Sequence, residues 1–157
     1  MVRIFLAALF VVATAKGAAA GNSCAMPANV NQLATEIVAG VNASRLSNGL
    51  AALAYNPVLG RAATAHACDM SSHAFFGHKG SNGSNINARV RSAGYAACTV
   101  AENLAWGYPT SGQIIGGWMN SAGHRSNMLH PRVKEMGIGI SQGGKGPNWV
   151  LVLGRSC

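Results

Sequence analysis

The spacing of apolar residues predicts several helices between Asn29 and Asn120. Between Asn29 and Ser47 apolar residues recur every three or four positions, which is the pattern of one buried helix face. Asn56 and Pro57 provide an N-cap and a first-turn proline for a second helix, which continues to His73. Shorter helices are predicted over Ser84–Ala93 and over Pro109–Asn120.

The apolar pattern of the remaining segments is typical of strands. Ala97–Tyr108 forms one such run, and Gly137–Ser141 and Trp149–Leu153 form two more near the end of the chain. The last two are separated by a short polar connection, so we expect them to pair as a hairpin. Together these segments predict an α+β domain in which helices flank a small antiparallel sheet.

The first twenty residues have the features of a secretory signal peptide. Arg3 precedes the apolar run Ile4–Ala15, and Ala18-Ala19-Ala20 provides small residues for cleavage. The apolar run is shorter than the roughly 20 residues of a membrane-spanning helix. We therefore expect residues 1–20 to be removed, leaving residues 21–157 as a single domain that is secreted or periplasmic and not transmembrane.

The amount and distribution of charge in the exported part indicate which kinds of partner it can bind. Without Arg3 and Lys16 the chain carries ten basic and four acidic side chains, a net charge of +6. These basic residues are scattered, and no basic run is interleaved with aromatic residues, as nucleic-acid binding would favour. We expect a monomer that binds no nucleic acid.

The four cysteines of the exported part predict disulfide bonds. An even number of cysteines in an exported chain, widely spaced and without a C-x-x-C motif, indicates two bridges and no zinc knuckle. Four cysteines allow three pairings. We favour Cys24–Cys157, which would join the two ends of the chain, together with Cys68–Cys98.

Chemistry-bearing residues concentrate around a helix break at Ser121–Gly123. His124 follows this break and is expected at a helix N-terminus, beside free backbone N–H groups. Glu102 is one of only four acidic residues and is the natural partner of His124. His78, in a loop, is a better ligand candidate than His66, which we expect to be a buried and hydrogen-bonded helix residue.

A series of short motifs in one order covers most of residues 30–153. They are Val41-Asn42-x-x-Arg45 with Gly49-Leu50, Asn56-Pro57-x-Leu59, His66-Ala67-x-x-Met70, Phe76-Gly77-His78, Arg89 with Gly94-Tyr95, Ala101-Glu102-Asn103-Leu104-Ala105, Gly117-Trp118-Met119-x-Ser121-x-Gly123-His124-Arg125-x-Asn127 and Gly137-Ile138-Gly139. This ordered set resembles the CAP superfamily of cysteine-rich secretory proteins, antigen 5 and pathogenesis-related 1 proteins, in particular its short bacterial members. The resemblance implies a three-layer α–β–α sandwich with a cleft.

The same resemblance implies the residues of the cleft, which in this family is lined by two histidines and two acids. The histidines fall on His78 and His124, and one acid falls on Glu102. The position of the second acid is occupied by Ser121, so a hydroxyl stands where relatives have a carboxylate. His78, Glu102 and His124 have side chains of the kinds that bind zinc in a site with one open coordination position. Ser121 and Arg125 are expected to contact these residues without binding the metal themselves.

Three interpretations of these residues remain open at this stage. The first is an extracellular binding module that holds a divalent metal such as zinc and a small ligand, namely a lipid, glycan or peptide. The second is a secreted metal-dependent hydrolase of peptidase or esterase type; Ser121 lacks the G-x-S-x-G setting of a serine nucleophile. The third is a buried polar network that only connects helices to the sheet. Whether the protein is an enzyme is left undecided. Trp106 and Trp118 are expected in the core.

Overall fold

A computed structural model describes residues 24–144 and 146–157, so the predicted signal peptide over residues 1–20 lies outside the described residues. Five helices and four strands are found in the described part, in agreement with the predicted α+β class. None of these helices combines the length and the apolar character needed to cross a membrane. In chain order the elements are α1 (Val30–Ser47), β1 (Ala54–Tyr55), α2 (Pro57–Ser72), α3 (Ile86–Ser92), β2 (Ala97–Trp106), α4 (Ser111–Asn120), α5 (Ala122–Met128), β3 (Glu135–Gly143) and β4 (Gly146–Ser156).

The four strands form one sheet in the order β1-β3-β4-β2. β3 and β4 form the predicted antiparallel hairpin, and β2 pairs antiparallel with the other edge of β4. The two-residue β1 adds a parallel pair beside β3. This strand was missed in the sequence because two residues are too few to show an alternating pattern.

Helices cover both faces of the sheet, which confirms the three-layer sandwich. The middle of β4, Trp149–Leu153, is apolar and buried at every position, as expected of a strand covered on both sides. Trp149, Leu151 and Leu153 pack with α1, α4 and α5, whereas Val150 and Val152 pack with α2 and α3. Alternate residues of a strand point to opposite faces, so β4 contributes to two separate cores.

The helix ends follow the capping signals in the sequence. The Asn56 side chain accepts hydrogen bonds from the backbone N–H groups of Val58 (2.8 Å) and Leu59 (3.4 Å), with Pro57 in the first turn. α4 begins at Ser111 rather than Pro109 because the Thr110 hydroxyl caps it. Ser121 has extended backbone between α4 and α5, so the predicted helix break is present.

The predicted disulfide pairing is wrong. The bonds are Cys24–Cys68 and Cys98–Cys157, with Cα–Cα distances of 5.3 Å and 4.9 Å, and no described cysteine is free. Ala97 pairs with Ser156 across β2 and β4, so Cys98 and Cys157 lie at the same end of two neighbouring strands. The N-terminal segment packs on the domain body, where Gln142 donates its backbone N–H to Ala25. Cys24 and Cys157 are therefore each joined to the body of the domain, and the expected pairs Cys24–Cys157 and Cys68–Cys98 do not form.

Arg45 connects three separate segments from within the core. Its side chain is almost completely buried, and it donates hydrogen bonds to the backbone carbonyls of Ala51 (2.9 Å), Met128 (2.8 Å) and His130 (3.1 Å). The planar guanidinium can donate in several fixed directions at once, which a lysine ammonium on a flexible stem does not reproduce.

Arg45→Lys is expected to lower the free energy of unfolding by about 2 kcal/mol, because at least one buried carbonyl loses its partner. Urea denaturation under non-reducing conditions measures this change. Arg61→Lys is the matched control: Arg61 is exposed and makes one long hydrogen bond of 3.4 Å to Ala93, so its substitution is expected to stay within about 0.5 kcal/mol. Equal effects of the two substitutions would contradict the role assigned to Arg45.

Candidate functional site

His78 and Glu102 form a hydrogen-bonded pair at one end of the site. His78 lies in the loop between α2 and α3, and its side chain is 64% exposed. Glu102 lies on β2 with its side chain buried, and its Oε1 atom is 2.8 Å from His78 Nδ1. A carboxylate accepts only, so the proton of this pair sits on Nδ1 when the ring is neutral. In that form the lone pair of the ring is on Nε2.

Arg89, on the last turn of α3, holds both members of that pair. Its Nη2 atom forms an ion pair with Glu102 Oε2 at 2.6 Å. Its Nη1 atom donates to the backbone carbonyls of His78 (2.9 Å) and Ser84 (3.1 Å). The arginine thus fixes the carboxylate and the loop that carries the histidine, a function that the sequence did not reveal.

The loop that carries His78 is also attached to α2. Asp69 accepts hydrogen bonds from the backbone N–H (2.9 Å) and the hydroxyl (2.5 Å) of Ser81. Burial is the largest single influence and raises the pKa of Asp69, but the two hydrogen bonds from Ser81 together with the charges of His73 and His66 bring the pKa below its ordinary value. The ionised carboxylate is therefore the form that holds this loop in place.

His124 lies in the first turn of α5, as expected from the helix break. Its Nδ1 atom is 2.9 Å from the Ser121 hydroxyl, which contacts the imidazole and makes no capping hydrogen bond to the helix backbone. Burial, and secondarily the charge of His78, lower the pKa of His124 below its ordinary value. The ring is accordingly neutral at pH 7, with Nε2 on the side away from Ser121.

Two asparagines connect α5 to β2 and so set the position of His124. The Asn103 side chain is fully buried and donates to the backbone carbonyl of His124 at 2.9 Å. Asn127 donates to the backbone carbonyl of Glu102 (3.1 Å) and to Asn103 Oδ1 (2.9 Å). Both residues belong to the motifs found in the sequence, but the sequence did not show what they contact.

His78, Glu102, Ser121 and His124 line one cleft of about 380 Å³. Among the described residues no hydrogen bond occupies Nε2 of His78 or of His124. Both oxygens of Glu102 are engaged, one by His78 and the other by Arg89. In the described part of the chain, no group of three or more His, Cys, Asp or Glu side chains is arranged to hold a metal ion.

An aromatic wall continues this cleft. Phe76, Trp106 and Tyr108 line an adjoining cavity of about 320 Å³ that also includes Ser121 and His124. The rings of Phe76 and Trp106 are 6.3 Å apart, and all three aromatic side chains are more than 40% exposed. The expectation that Trp106 belongs to the core was wrong, because it is the last residue of β2, beyond the helices that cover the sheet.

The structure brings most of the predicted site residues together. Trp118 is in the core as expected, where its indole N–H donates to the Leu104 carbonyl at 3.0 Å. Ser121 supports His124 through a side-chain contact. Arg125 is exposed and lines neither the cleft nor the aromatic cavity. The supporting guanidinium is that of Arg89, from a helix distant in sequence.

His66 is buried and hydrogen-bonded, as its position on the helix predicted. Its Nε2 atom is 2.9 Å from the Gly77 carbonyl, and burial lowers its pKa below the ordinary value of 6.5. The unfolded chain, in which histidine is solvated, therefore takes up this proton more readily than the folded protein. The contribution of His66 to the free energy of unfolding is therefore fully present above about pH 6.5. It is lost as the pH falls from there toward the lowered pKa of the folded state.

The free energy of unfolding is therefore expected to decrease between about pH 7.5 and about pH 5.5, by no more than about 1.4 kcal/mol per pH unit for His66. Urea denaturation at the two pH values measures the decrease. His66→Gln, which retains a donor for Gly77, is expected to reduce the pH dependence and leave only the contribution of His124, which has the same sign. An unchanged dependence in this variant would contradict the assignment.

Comparisons with known proteins agree with this architecture. A sequence model described as the CAP, or cysteine-rich secretory protein, family matches residues 38–153. YkwD from Bacillus subtilis strain 168 is 31% identical over 118 residues, which are 75% of this chain and 46% of the relative. The membrane protein YlbC of the same strain is 27% identical over 101 residues, 64% of this chain and 29% of the relative. The chain thus spans less than half the length of these curated relatives.

Two solved structures have the same fold. An outer surface protein from Borrelia burgdorferi superposes with a TM-score of 0.77 at 15% identity, over 85% of this chain and 99% of that one. An extracellular protein containing an SCP domain from Bacillus anthracis superposes with a TM-score of 0.74 at 23% identity, over 80% of this chain and 41% of that one. At these identities the likeness concerns the fold alone.

Proposed function

The chain belongs to the CAP family of cysteine-rich secretory proteins, and from this premise we propose that it is an extracellular binding module whose cleft holds a divalent metal ion. His78 and His124 are the two protein ligands, and zinc is the metal that two imidazoles suit well. The remaining coordination positions are open to water or to a polar group of a small ligand.

The observation that carries the proposal is the similar set of contacts that the two imidazole rings make. Each histidine has Nδ1 engaged by a side chain, Glu102 for His78 and Ser121 for His124, and among the described residues each Nε2 makes no hydrogen bond. Both residues line the same cleft. Histidines that bind metals typically have their other ring nitrogen held in this way. The lowered pKa of His124 also keeps that ring neutral, which metal binding requires.

Glu102 acts through His78 in this proposal and not as a third ligand. Its two oxygens are engaged by His78 and Arg89, so it orients the imidazole and increases its basicity. A bound divalent ion would act as a Lewis acid toward an oxygen atom of the ligand. Arg89 neutralises the buried carboxylate and so prevents the site from attracting cations through Glu102 alone.

The aromatic wall provides the surface on which the rest of the ligand lies. Phe76, Trp106 and Tyr108 adjoin His124 and expose flat rings, which stack on apolar or planar groups. A lipid, a glycan or a peptide can provide such groups together with an oxygen for the metal. The Ser121–His124 pair supports binding more than serine chemistry, because no carboxylate among the described residues contacts the His124 ring.

An extracellular location has three supports. The leader over residues 1–20 has the features of a secretory signal, both cysteine pairs are oxidised, and the Bacillus anthracis relative is described as extracellular. The first test of the proposed function is calorimetric titration of the purified, oxidised protein with zinc chloride. Saturation at one ion per chain is the expected result, and the absence of saturable heat would favour the purely structural network.

A further inference from the structure

Two asparagines of the sequence are followed directly by glycine, in the pairs Asn48-Gly49 and Asn82-Gly83. Both pairs are exposed. Glycine has no side chain to shield its backbone nitrogen, so this nitrogen can approach the amide carbon of the preceding asparagine side chain closely. The two pairs share this local chemistry, and only their surroundings in the fold can make them behave differently.

The side chain of Asn82 is folded over the peptide bond that follows it. Its Oδ1 atom accepts a hydrogen bond from the backbone N–H of Ser84 at 3.0 Å, the contact of an Asx turn. The ring closed by this bond includes the Asn82 Cγ atom and the Gly83 nitrogen, which keeps the two atoms close together. Negative charge develops on Oδ1 when Cγ is attacked, and the Ser84 N–H stabilises that charge as a donor of an oxyanion hole does.

The side chain of Asn48 is held in the opposite direction. Its Nδ2 atom donates to the backbone carbonyl of Ser44 at 2.8 Å and to the Ser47 hydroxyl at 3.4 Å. Both acceptors precede Asn48 in the chain, so these bonds hold the amide group back along α1 and away from the Gly49 nitrogen. Among the described residues no donor contacts Asn48 Oδ1. This pair therefore lacks both features found at Asn82.

We propose that Asn82 is a site of spontaneous deamidation in the folded protein and that the fold protects Asn48. The Gly83 N–H donates to the Gly80 carbonyl at 2.8 Å, and this bond of the exposed turn opens first. The Gly83 nitrogen then gives its proton to a base in the solvent and forms a bond to Asn82 Cγ, while the side-chain amide group takes up a proton and leaves as ammonia. Water hydrolyses the resulting cyclic imide at either carbonyl carbon, which gives aspartate or isoaspartate at this position.

The new carboxylate lies near one on which the loop already depends. Asp69 holds the loop by accepting hydrogen bonds from the backbone N–H and the hydroxyl of Ser81. A Cβ atom on Gly80 would be 3.2 Å from Asp69 Oδ2 and 3.1 Å from Asn82 Oδ1. These two oxygens therefore lie within about 6 Å of each other, a distance at which like charges repel. Deamidation thus weakens the attachment of the loop that carries His78, whether or not that histidine binds a metal.

The test is peptide mapping by mass spectrometry after incubation of the oxidised protein in mildly alkaline buffer. We expect Asn82 to be converted about tenfold faster than Asn48 or more, because only Asn82 has a donor at its Oδ1 atom. The matched control is the same protein unfolded in guanidinium chloride with its disulfides intact, in which both asparagines are expected to react at similar rates. Equal rates in the folded protein, or the same difference after unfolding, would overturn the proposal.

Asn82→Asp introduces the charge of the aspartate product directly and tests its effect on the loop. The Ser81 N–H donates to Asp69, so its hydrogen-exchange rate, followed by NMR, reports how firmly the loop is attached. We expect exchange about threefold faster or more in this variant, because the two carboxylates repel each other. Asn48→Asp adds the same charge after α1 as the matched control and is expected to leave this rate unchanged. Unchanged exchange in Asn82→Asp, or an equal increase in both variants, would overturn the proposed effect on the loop.

Discussion

His124→Ala is expected to weaken zinc binding by on the order of 100-fold or more. Loss of a group that only supports a ligand typically costs about 10–100-fold in metal affinity, and loss of a ligand itself should cost more. His124 is one of the two histidines that line the cleft, and among the described residues its Nε2 atom makes no hydrogen bond. His78→Ala is expected to have an equally large effect, and its exposed side chain makes a secondary loss of folding less of a concern.

Glu102→Gln distinguishes a supporting residue from a third ligand. The glutamine oxygen can still accept from His78 Nδ1, but the charge that increases the basicity of the imidazole and pairs with Arg89 is lost. We therefore expect a loss of about 10–100-fold, smaller than that of either histidine variant. A loss as large as that of His124→Ala would show that Glu102 binds the metal directly.

The control for these titrations is His73→Ala. His73 is an exposed histidine that lines neither the cleft nor the aromatic cavity, so its removal tests non-specific binding to imidazole. Its Nδ1 atom contacts Asp69, but the hydrogen bonds that attach the His78 loop to Asp69 come from Ser81 and do not involve His73. It is expected to leave the zinc affinity unchanged. Equal losses in His73→Ala and His124→Ala, or full affinity in both cleft variants, would refute the proposed metal site. Circular dichroism of each variant confirms that the fold is retained.

Gly139→Ala is expected to lower the free energy of unfolding by about 3 kcal/mol or more, the upper end of the range for overpacked cores. α2 crosses β3 so closely that a Cβ atom on Gly139 would lie inside the van der Waals radii of the backbone of Ala63 and Thr64. A Cβ on Gly137 would meet the backbone of Leu59 and Gly60 in the same way. Backbone cannot rotate aside as a side chain can, so the whole helix must move.

Gly116→Ala is the matched control, because nothing lies within 4 Å of a Cβ atom at that exposed position in α4. Alanine there is expected to raise stability by about 0.5–1 kcal/mol, since glycine is a poor helix residue. Urea denaturation of both variants gives the comparison. A Gly139→Ala protein as stable as the original would show that α2 can move away from the sheet at little cost.

The sequence correctly predicted the elements whose signals are local. The cap and proline at Asn56-Pro57, the helix break at Ser121 and the hairpin near the C-terminus were all found where the pattern placed them. These features depend on hydrogen bonds and backbone preferences within a few residues, so the chain specifies them without its tertiary context. β1 was missed because its pairing with β3 is set by the distant strand.

For the candidate site, the ordered motifs identified His78, Glu102 and His124 as residues of one cleft, and the structure places them there. The sequence predicted that Arg125 supports the site, whereas in the structure it is Arg89 that contacts Glu102 and the His78 backbone. Arg125 is close to His124 along the chain, but an α-helix points neighbouring residues in different directions. Arg89 reaches Glu102 because α3 packs against β2, which no local pattern shows.

The sequence by itself therefore determined the helices, the hairpin and the fold class, and through the family resemblance it proposed the residues of the cleft. The tertiary structure alone decided the disulfide pairing, the ion pair between Arg89 and Glu102, and which carbonyl group the buried His66 contacts. The physical reason is the range of the interactions involved. Helix caps and apolar periodicity depend on residues that are close in sequence. Disulfide bonds, ion pairs and side-chain hydrogen bonds depend on which distant segments the packed sheet brings into contact.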